Sequence, residues 1–248
     1  MLKQEFKKEF IFGIHPVIEA IKSGREVERL LIQKDTRSDG LNEIMKLAAQ
    51  LKIPVVKVPA EKLSRITRKV HQGVICFLSA ITYASLDHVI SDCFQKGSSP
   101  LILVLDRITD VRNFGAIARS AHCMGAHAIV VPEKGNAQIN SDAVKTSSGA
   151  LHHIPVCRVS SVLQTLKYLK DSGLIIIACS EKGNKNIAEC DMKVPVALLL
   201  GSEENGIQTD LLKLADEIAF IPMAGKVSSL NVSVAAGIAL YEVIRQRM

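Results

Sequence analysis

Three short stretches hold the side chains that could do chemistry. In the tail IPMAGKVSSLNVSVAAGIALYEVIRQR, Ile221 to Arg247, a strand end passes through a Gly-Lys segment into a helix. Ser228 and Ser229 are hydroxyls of the kind that cap a helix. Ser229 and Asn231 flank Leu230 at a point where a purely packing helix would carry apolar residues. The second stretch, LILVLDRITDVRNFGAIARSAHCMGA from Leu101 to Ala126, reads as a buried strand, a polar turn and a helix opening near Asn113, with Arg119 six residues further on. The third, VALLLGSEENGI from Val196 to Ile207, is another buried strand running into Gly201, Glu203, Glu204 and Gly206. Neither strand-to-helix turn suits a phosphorylated cofactor. The first has only Gly115 where a dinucleotide site needs G-x-G-x-x-G, and G-S-E-E-N-G lacks the Lys-Ser/Thr of a P-loop. A cofactor without phosphates, held by backbone groups of glycine-rich and apolar loops, fits better.

In order, spacing and residue type the three stretches resemble the three motifs of the SpoU family of RNA ribose 2'-O-methyltransferases, within the SPOUT superfamily, over about residues 100 to 248. Near the N-terminus, IFGIHPVIEAI and HQGV resemble the RNA-binding domain of the 23S rRNA guanosine-2'-O-methyltransferase branch. The resemblance implies S-adenosylmethionine as cofactor, held by Gly201, Ile221 and Leu230 through main-chain groups, and a C-terminal segment threaded as a trefoil knot. It implies that Arg119 is catalytic, binding the phosphate next to the target and either accepting the 2'-hydroxyl proton or stabilising the alkoxide. An arginine with a pKa above ~12 is a poor base, so stabilisation is the physically favoured role. Glu203 would hold neighbouring donors, Arg119 among them, while Asn113, Ser229 and Asn231 complete the constellation around the ribose or phosphate. A homodimer is implied as well, with each cofactor pocket near the subunit interface. One departure stands out: the turn reads D-V-R-N where many members have D-P-H-N, so Val111 and Arg112 replace a rigid turn and an imidazole, and Arg112 adds a donor beside the site.

The elements that must position these residues are predicted as α/β. From Leu101 on, apolar runs such as LILVL and VALLL alternate with helices, as in a parallel sheet covered on both faces. Strands are expected at 101–106, 128–131, 154–156, 174–179, 196–200 and 217–221. Helices are expected at 113–124, 141–149, 161–171 and 209–214, and from Leu230 to the end. In that last helix Leu230, Val234, Ile238 and Tyr241 form the apolar face, and Ser233, Ala236 and Gly237 on the other side are small enough to admit a partner helix. Residues 82–99 contain one helical stretch, end in Gly-Ser-Ser before Pro100 and read as a bridge. The domain boundaries expected are 1–80, a linker over 81–98, and 99–248. The first domain shows helices at 13–21, 41–51 and 61–68 between strands at 27–32, 54–58 and 73–81, a small α/β sandwich for which the resemblance implies the L30e-like fold.

Charge is divided unevenly between these parts. Residues 1–80 carry 15 Lys and Arg against 9 Asp and Glu, whereas 81–248 carry 16 of each, so the whole net charge of +6 lies in the first third. A basic module beside a neutral one points to a polyanion-binding part joined to a part with another task. Arg65, Arg68 and Lys69, followed by His71, Gln72 and Gly73, are the candidate RNA contacts, the glycine permitting close approach of a phosphate backbone. With no aromatic-rich strand, base stacking of the RNA-recognition-motif kind is not expected. Apolar residues make up 48% of the chain and aromatics only 4%, so the core is aliphatic. No apolar run approaches the ~20 residues of a membrane span, no signal peptide is evident, and six scattered cysteines without a C-x-x-C pair indicate reduced thiols of a cytoplasmic protein and no metal site. The expected activity is 2'-O-methylation of a guanosine in 23S rRNA, with tRNA methylation by the same chemistry and a non-catalytic RNA-binding or ribosome-assembly role as alternatives.

Overall fold

Alternating apolar patterns build two units in the structure, a computed structural model that describes residues 10–36, 38–226 and 229–248. The first unit extends to Thr82 and includes Gln138–Ser141. Its elements are β1 (Phe10–Phe12), α1 (Ile14–Lys22), β2 (Val27–Gln33), α2 (Asp39–Gln50), β3 (Val55–Val58), α3 (Ala60–Ile66) and β4 (Val74–Leu78). The strands lie in the order β1-β4-β2-β3, with β2 and β3 parallel and the other neighbours antiparallel. Successive strand side chains point to opposite faces. Leu30, Ile32, Val74 and Cys76 therefore pack under α1 and α2, while Leu31 and Ile75 face Leu63 of the much shorter α3.

The second unit comprises α4 (Leu86–Gln95), β5 (Leu101–Asp106), α5 (Val111–Cys123), β6 (Ala128–Pro132), α6 (Ser141–Thr146), β7 (Val156–Val159), α7 (Val162–Asp171), β8 (Ile175–Cys179), β9 (Lys185–Asn186), β10 (Val196–Gly201), α8 (Thr209–Leu212), β11 (Glu217–Phe220) and α9 (Val232–Arg247). Seven strands, all parallel, follow the order β7-β6-β5-β10-β8-β11-β9. At the centre β5 and β10 pair in register from Leu101↔Val196 to Asp106↔Gly201. Leu101 to Leu105 are fully buried. At about 1.5–3 kcal/mol for each large aliphatic side chain, this pair of strands outweighs any local propensity in fixing the sheet. Leu86 and Ile90 of α4 join the core on one side of it.

Arg247 closes the opposite end of α9. Its guanidinium donates to the carbonyls of Met192 (2.8 Å), Ser99 (2.8 Å), Val194 (2.7 Å) and Pro100 (3.3 Å), at the N-terminal ends of β5 and β10. Beside it the side chain of Gln246 bonds the backbone of Cys190 and Met192.

Several expectations are corrected. Helix α5 begins at Val111, because Asp110 caps it by accepting the Asn113 amide. Helix α9 begins at Val232 with Asn231 as its cap, so Leu230 precedes it; Ser228 lies outside the described residues, as does the charged leader before Phe10. The apolar face expected for this helix is its exposed one: Val234, Ile238 and Tyr241 are 49%, 37% and 57% exposed. Val232, Ala236, Ala239, Leu240 and Val243 are buried instead. The small residues are already used within the chain, where a Cβ on Gly237 would stand 3.9 Å from Ser120 Oγ of α5. Helix α6 stops at Thr146, before the left-handed Ser148 and Gly149. Strand β7 runs over Val156–Val159, later than expected, since 150–152 form a short 3-10 turn. The short strands β1 and β9, too brief to show periodicity, were not foreseen.

Candidate active site

Parallel strands aim their C-terminal ends at one rim, where ligands of open α/β sheets bind. Here Cys179 ends β8, Gly201 ends β10 and Ile221 follows β11, and all three line one cleft of about 590 Å³. That size lies within the range of small-molecule sites. Ser229, Leu230 and Asn231 complete its wall, so Gly201, Ile221 and Leu230, the cofactor positions that the family resemblance implies, line one cleft.

The loop after β10 is folded tightly on itself. Gly206 donates to Ser202 O (2.8 Å) and has φ +63°, and a Cβ at Gly201 would come within 2.2 Å of the Gly206 backbone. This brings Glu203 out on the turn. Its Oε1 accepts from Asn113 Nδ2 (3.2 Å), from Asn231 Nδ2, and from the Val232 amide (3.2 Å) in the first turn of α9. Asn231 Nδ2 also donates to Asn113 Oδ1 (3.0 Å), while Asn231 Oδ1 caps α9 by accepting from Ser233 N (3.0 Å). Three segments from far apart in the sequence are thus joined through one carboxylate, placed where a helix N-terminus favours negative charge.

Arg119 stands on the same helix as Asn113 but outside this network. It is exposed and has no hydrogen bond or ion pair among the described residues, so Glu203 holds the two asparagines and not the arginine. Arg112, in the first turn of α5, is exposed as well. In the first unit Arg65, Arg68 and Lys69 are exposed and line one groove. His71 and Gln72 have structural partners. His71 Nδ1 accepts the Gly73 amide (3.1 Å), and Gln72 Oε1 accepts the Ile14 amide (2.9 Å) at the start of α1.

Two features escaped the sequence reading. Asp106, fully buried at the end of β5, accepts from Gln208 N and Nε2 (both 2.9 Å) and pairs with Arg107, whose Nη2 reaches Gly206 O (3.3 Å). A buried carboxylate must find such partners, and here they pin the foot of the Glu203 loop. The signal was an Asp closing the run LILVL. The other is the loop after β8, where Ser180, Glu181 and Lys182 line the cleft. Its Gly183 lies so near β11 that a Cβ would be 2.7 Å from Ala219 C. Burial pushes the Cys179 thiol up to about 12, which disfavours its thiolate.

The cleft suits S-adenosylmethionine. Glu181, Glu203 and Glu204 surround it, with Lys182 as the only basic lining residue among those described, which favours a sulfonium cation, and the glycine and apolar positions expose main-chain groups to a nucleoside. Among the described residues no group of three or more His, Cys, Asp or Glu could hold a metal ion, and no helix is long and apolar enough to cross a membrane.

Comparison with known proteins agrees with this geometry. The model of the SpoU rRNA Methylase family matches residues 100–241, and a model described as RNA 2'-O ribose methyltransferase substrate binding matches residues 10–84. The putative TrmH family tRNA/rRNA methyltransferase YacO of Bacillus subtilis is 35% identical over 239 residues, 96% of either chain. A putative TrmH family tRNA/rRNA methyltransferase of Staphylococcus saprophyticus is 35% identical over 237 residues, 96% of this chain and 95% of that one. Among solved structures, the SpoU methyltransferase AviRb from Streptomyces viridochromogenes in complex with AdoMet superposes with a TM-score of 0.61 at 26% identity, covering 96% of this chain and 90% of its own.

Proposed function

This chain belongs to the SpoU rRNA methylase family and is an S-adenosylmethionine-dependent RNA ribose 2'-O-methyltransferase; from that premise we propose that its target is a guanosine of 23S rRNA. The observation that carries the assignment of roles is the convergence of Asn113, Glu203 and Asn231 at the mouth of the cleft. Bound S-adenosylmethionine supplies a methyl group on a positively charged sulfur. The protein has to align a ribose hydroxyl with it and favour the oxyanion that develops; alignment alone can supply roughly 7–11 kcal/mol. Gly201, Ile221 and Leu230 hold the nucleoside by main-chain groups. Glu203 fixes the two asparagines, and Ser229 and Asn231 orient the ribose. Arg119, with its donors uncommitted, binds the neighbouring phosphate and stabilises the alkoxide. Arg112 adds a further contact to the RNA.

Recognition is assigned to the basic first unit through Arg65, Arg68 and Lys69. The exposed apolar side of α9, with Leu230 before it, is assigned to contact with a second copy. The threaded tail that the family resemblance implies belongs to the same reading. Six free cysteines and an RNA substrate support a cytoplasmic location. Mapping 2'-O-methyl groups in rRNA and tRNA from cells with and without the protein tests the reading. A missing mark on a 23S guanosine supports it; a missing mark in tRNA moves the target, and no missing mark in any RNA removes the activity.

A further inference from the structure

The first unit covers its sheet unequally. Helices α1 and α2 span one face, whereas α3, seven residues long, is the helix packed on the other. The expectation that no strand is aromatic-rich fails at the edge strand β1, of sequence FIF: Phe10 and Phe12 project onto that second face and are only partly buried, with ring centroids 6.3 Å apart. Phe77 of β4 lies beside Phe10 at 5.8 Å, but the Arg29 guanidinium sits over its ring at 4.9 Å. Phe10 and Phe12 line an open groove whose other wall carries Arg65, Ile66, Arg68 and Lys69. Among the described residues Glu61 is its one acidic lining residue.

We propose that this groove binds an unpaired nucleotide of the RNA, its base stacked on Phe10 or Phe12 and its phosphates on Arg65, Arg68 and Lys69. The proposal rests on reading the first unit as the RNA-holding part, and goes beyond it in naming single-stranded RNA and two aromatic side chains. Among the described lining residues, three positive charges against one negative favour a polyanion over an apolar protein segment. A partly exposed ring next to them selects a base with a free face, which a duplex does not offer.

The test uses the full chain, a fluorescein-labelled octauridylate and a labelled RNA duplex of the same length, with affinity read by anisotropy over a range of salt. Phe10→Leu and Phe12→Leu keep apolar volume and remove the ring. Together they should weaken octauridylate binding by about tenfold or more, the scale of one lost base–aromatic stack. Duplex affinity should stay within about twofold and the salt slope should not change, because stacking releases no counterions. Equal losses on both RNAs, no loss on either, or failure of the unaltered chain to bind octauridylate would overturn the proposal. Should the leucine variants not fold, Phe12→Trp gives the same answer, since the chain has no other tryptophan: quenching by octauridylate supports stacking and unchanged emission refutes it. Binding is read without methyl transfer, so an enzyme found to modify no RNA would sink the activity and leave this result standing.

Discussion

Arg119 and Glu203 should fail in different ways. Arg119 has no hydrogen bond or ion pair among the described residues, so Arg119→Ala should leave the melting temperature and cofactor affinity nearly unchanged while methyl transfer falls at least a hundredfold, about 2.7 kcal/mol, the cost of one preorganised donor. Glu203→Gln weakens three hydrogen bonds at once and should lower both turnover and melting temperature, by about 1 kcal/mol of stability at so exposed a site. A stability loss from Arg119→Ala equal to that of Glu203→Gln would contradict this division. His127 gives a pH signature. Its Nδ1 accepts the Leu101 amide (3.0 Å), and burial first, then the charge of Arg247, lowers its pKa below the ordinary 6.5. The unfolded chain therefore binds the proton more readily, and stability is lost as pH falls below about 6.5 until the folded pKa is passed. Urea unfolding at pH 7 and pH 5 should show that drop in the protein and less of it in His127→Asn. At this scale Ser229 and Asn231 were legible as polar residues interrupting a helix start, whereas Asn113, Arg119 and Glu203 were singled out only through the resemblance to the family's motifs. Asp106 and His127 were not, because their meaning lies in partners 102 and 26 residues away.

Among the elements, α9 shows what a periodic pattern can and cannot decide. Its existence was plain from the sequence, but ranking residues by hydrophobicity chose the wrong face. The buried face joins small Ala236 and Ala239 to Val232, Leu240 and Val243, and half-buried Gly237 lets the helix lie close to Ser120 of α5, while Val234, Ile238 and Tyr241 stay out. We propose that this row of exposed apolar residues is where two copies of the chain meet. Ile238→Asp should convert a particle of twice 27.0 kDa into one of 27.0 kDa by light scattering, without lowering the melting temperature of the monomer. An unchanged mass would remove α9 from the interface. The long central strands were equally plain, being buried on both faces. Strands β1 and β9, of three and two residues, carry too little sequence to show a period and exist only through their neighbours.

For the whole molecule the decisive number is the uneven charge. The second unit has its own seven-stranded sheet and core, so a fragment beginning near residue 83 should fold and bind S-adenosylmethionine. Without the +6 of the first third it should bind RNA much more weakly and with a shallower dependence on salt, since fewer counterions are released. Replacing Arg65, Arg68 and Lys69 by Ala in the full chain should lower the salt slope by up to about three contacts. Equal slopes for fragment and full chain would shift recognition to Arg112 and the cleft. Composition revealed this division, because charge adds up irrespective of fold.

The Arg247 clamp bears on the order in which the chain is made. The carbonyls of Ser99 and Pro100 receive their donors from a residue 148 and 147 positions later, and β5 waits 95 residues for β10 to fill its inner edge. During synthesis the apolar strands β5 to β7 must therefore persist with an unpaired edge, the condition under which nascent chains need chaperones. High contact order makes the last step slow. Ribosome-bound chains arrested before residue 247 clears the exit tunnel should be cut by protease within the second unit, and those arrested after it should resist. Protection appearing as soon as β10 emerges would show that the sheet closes without its clamp.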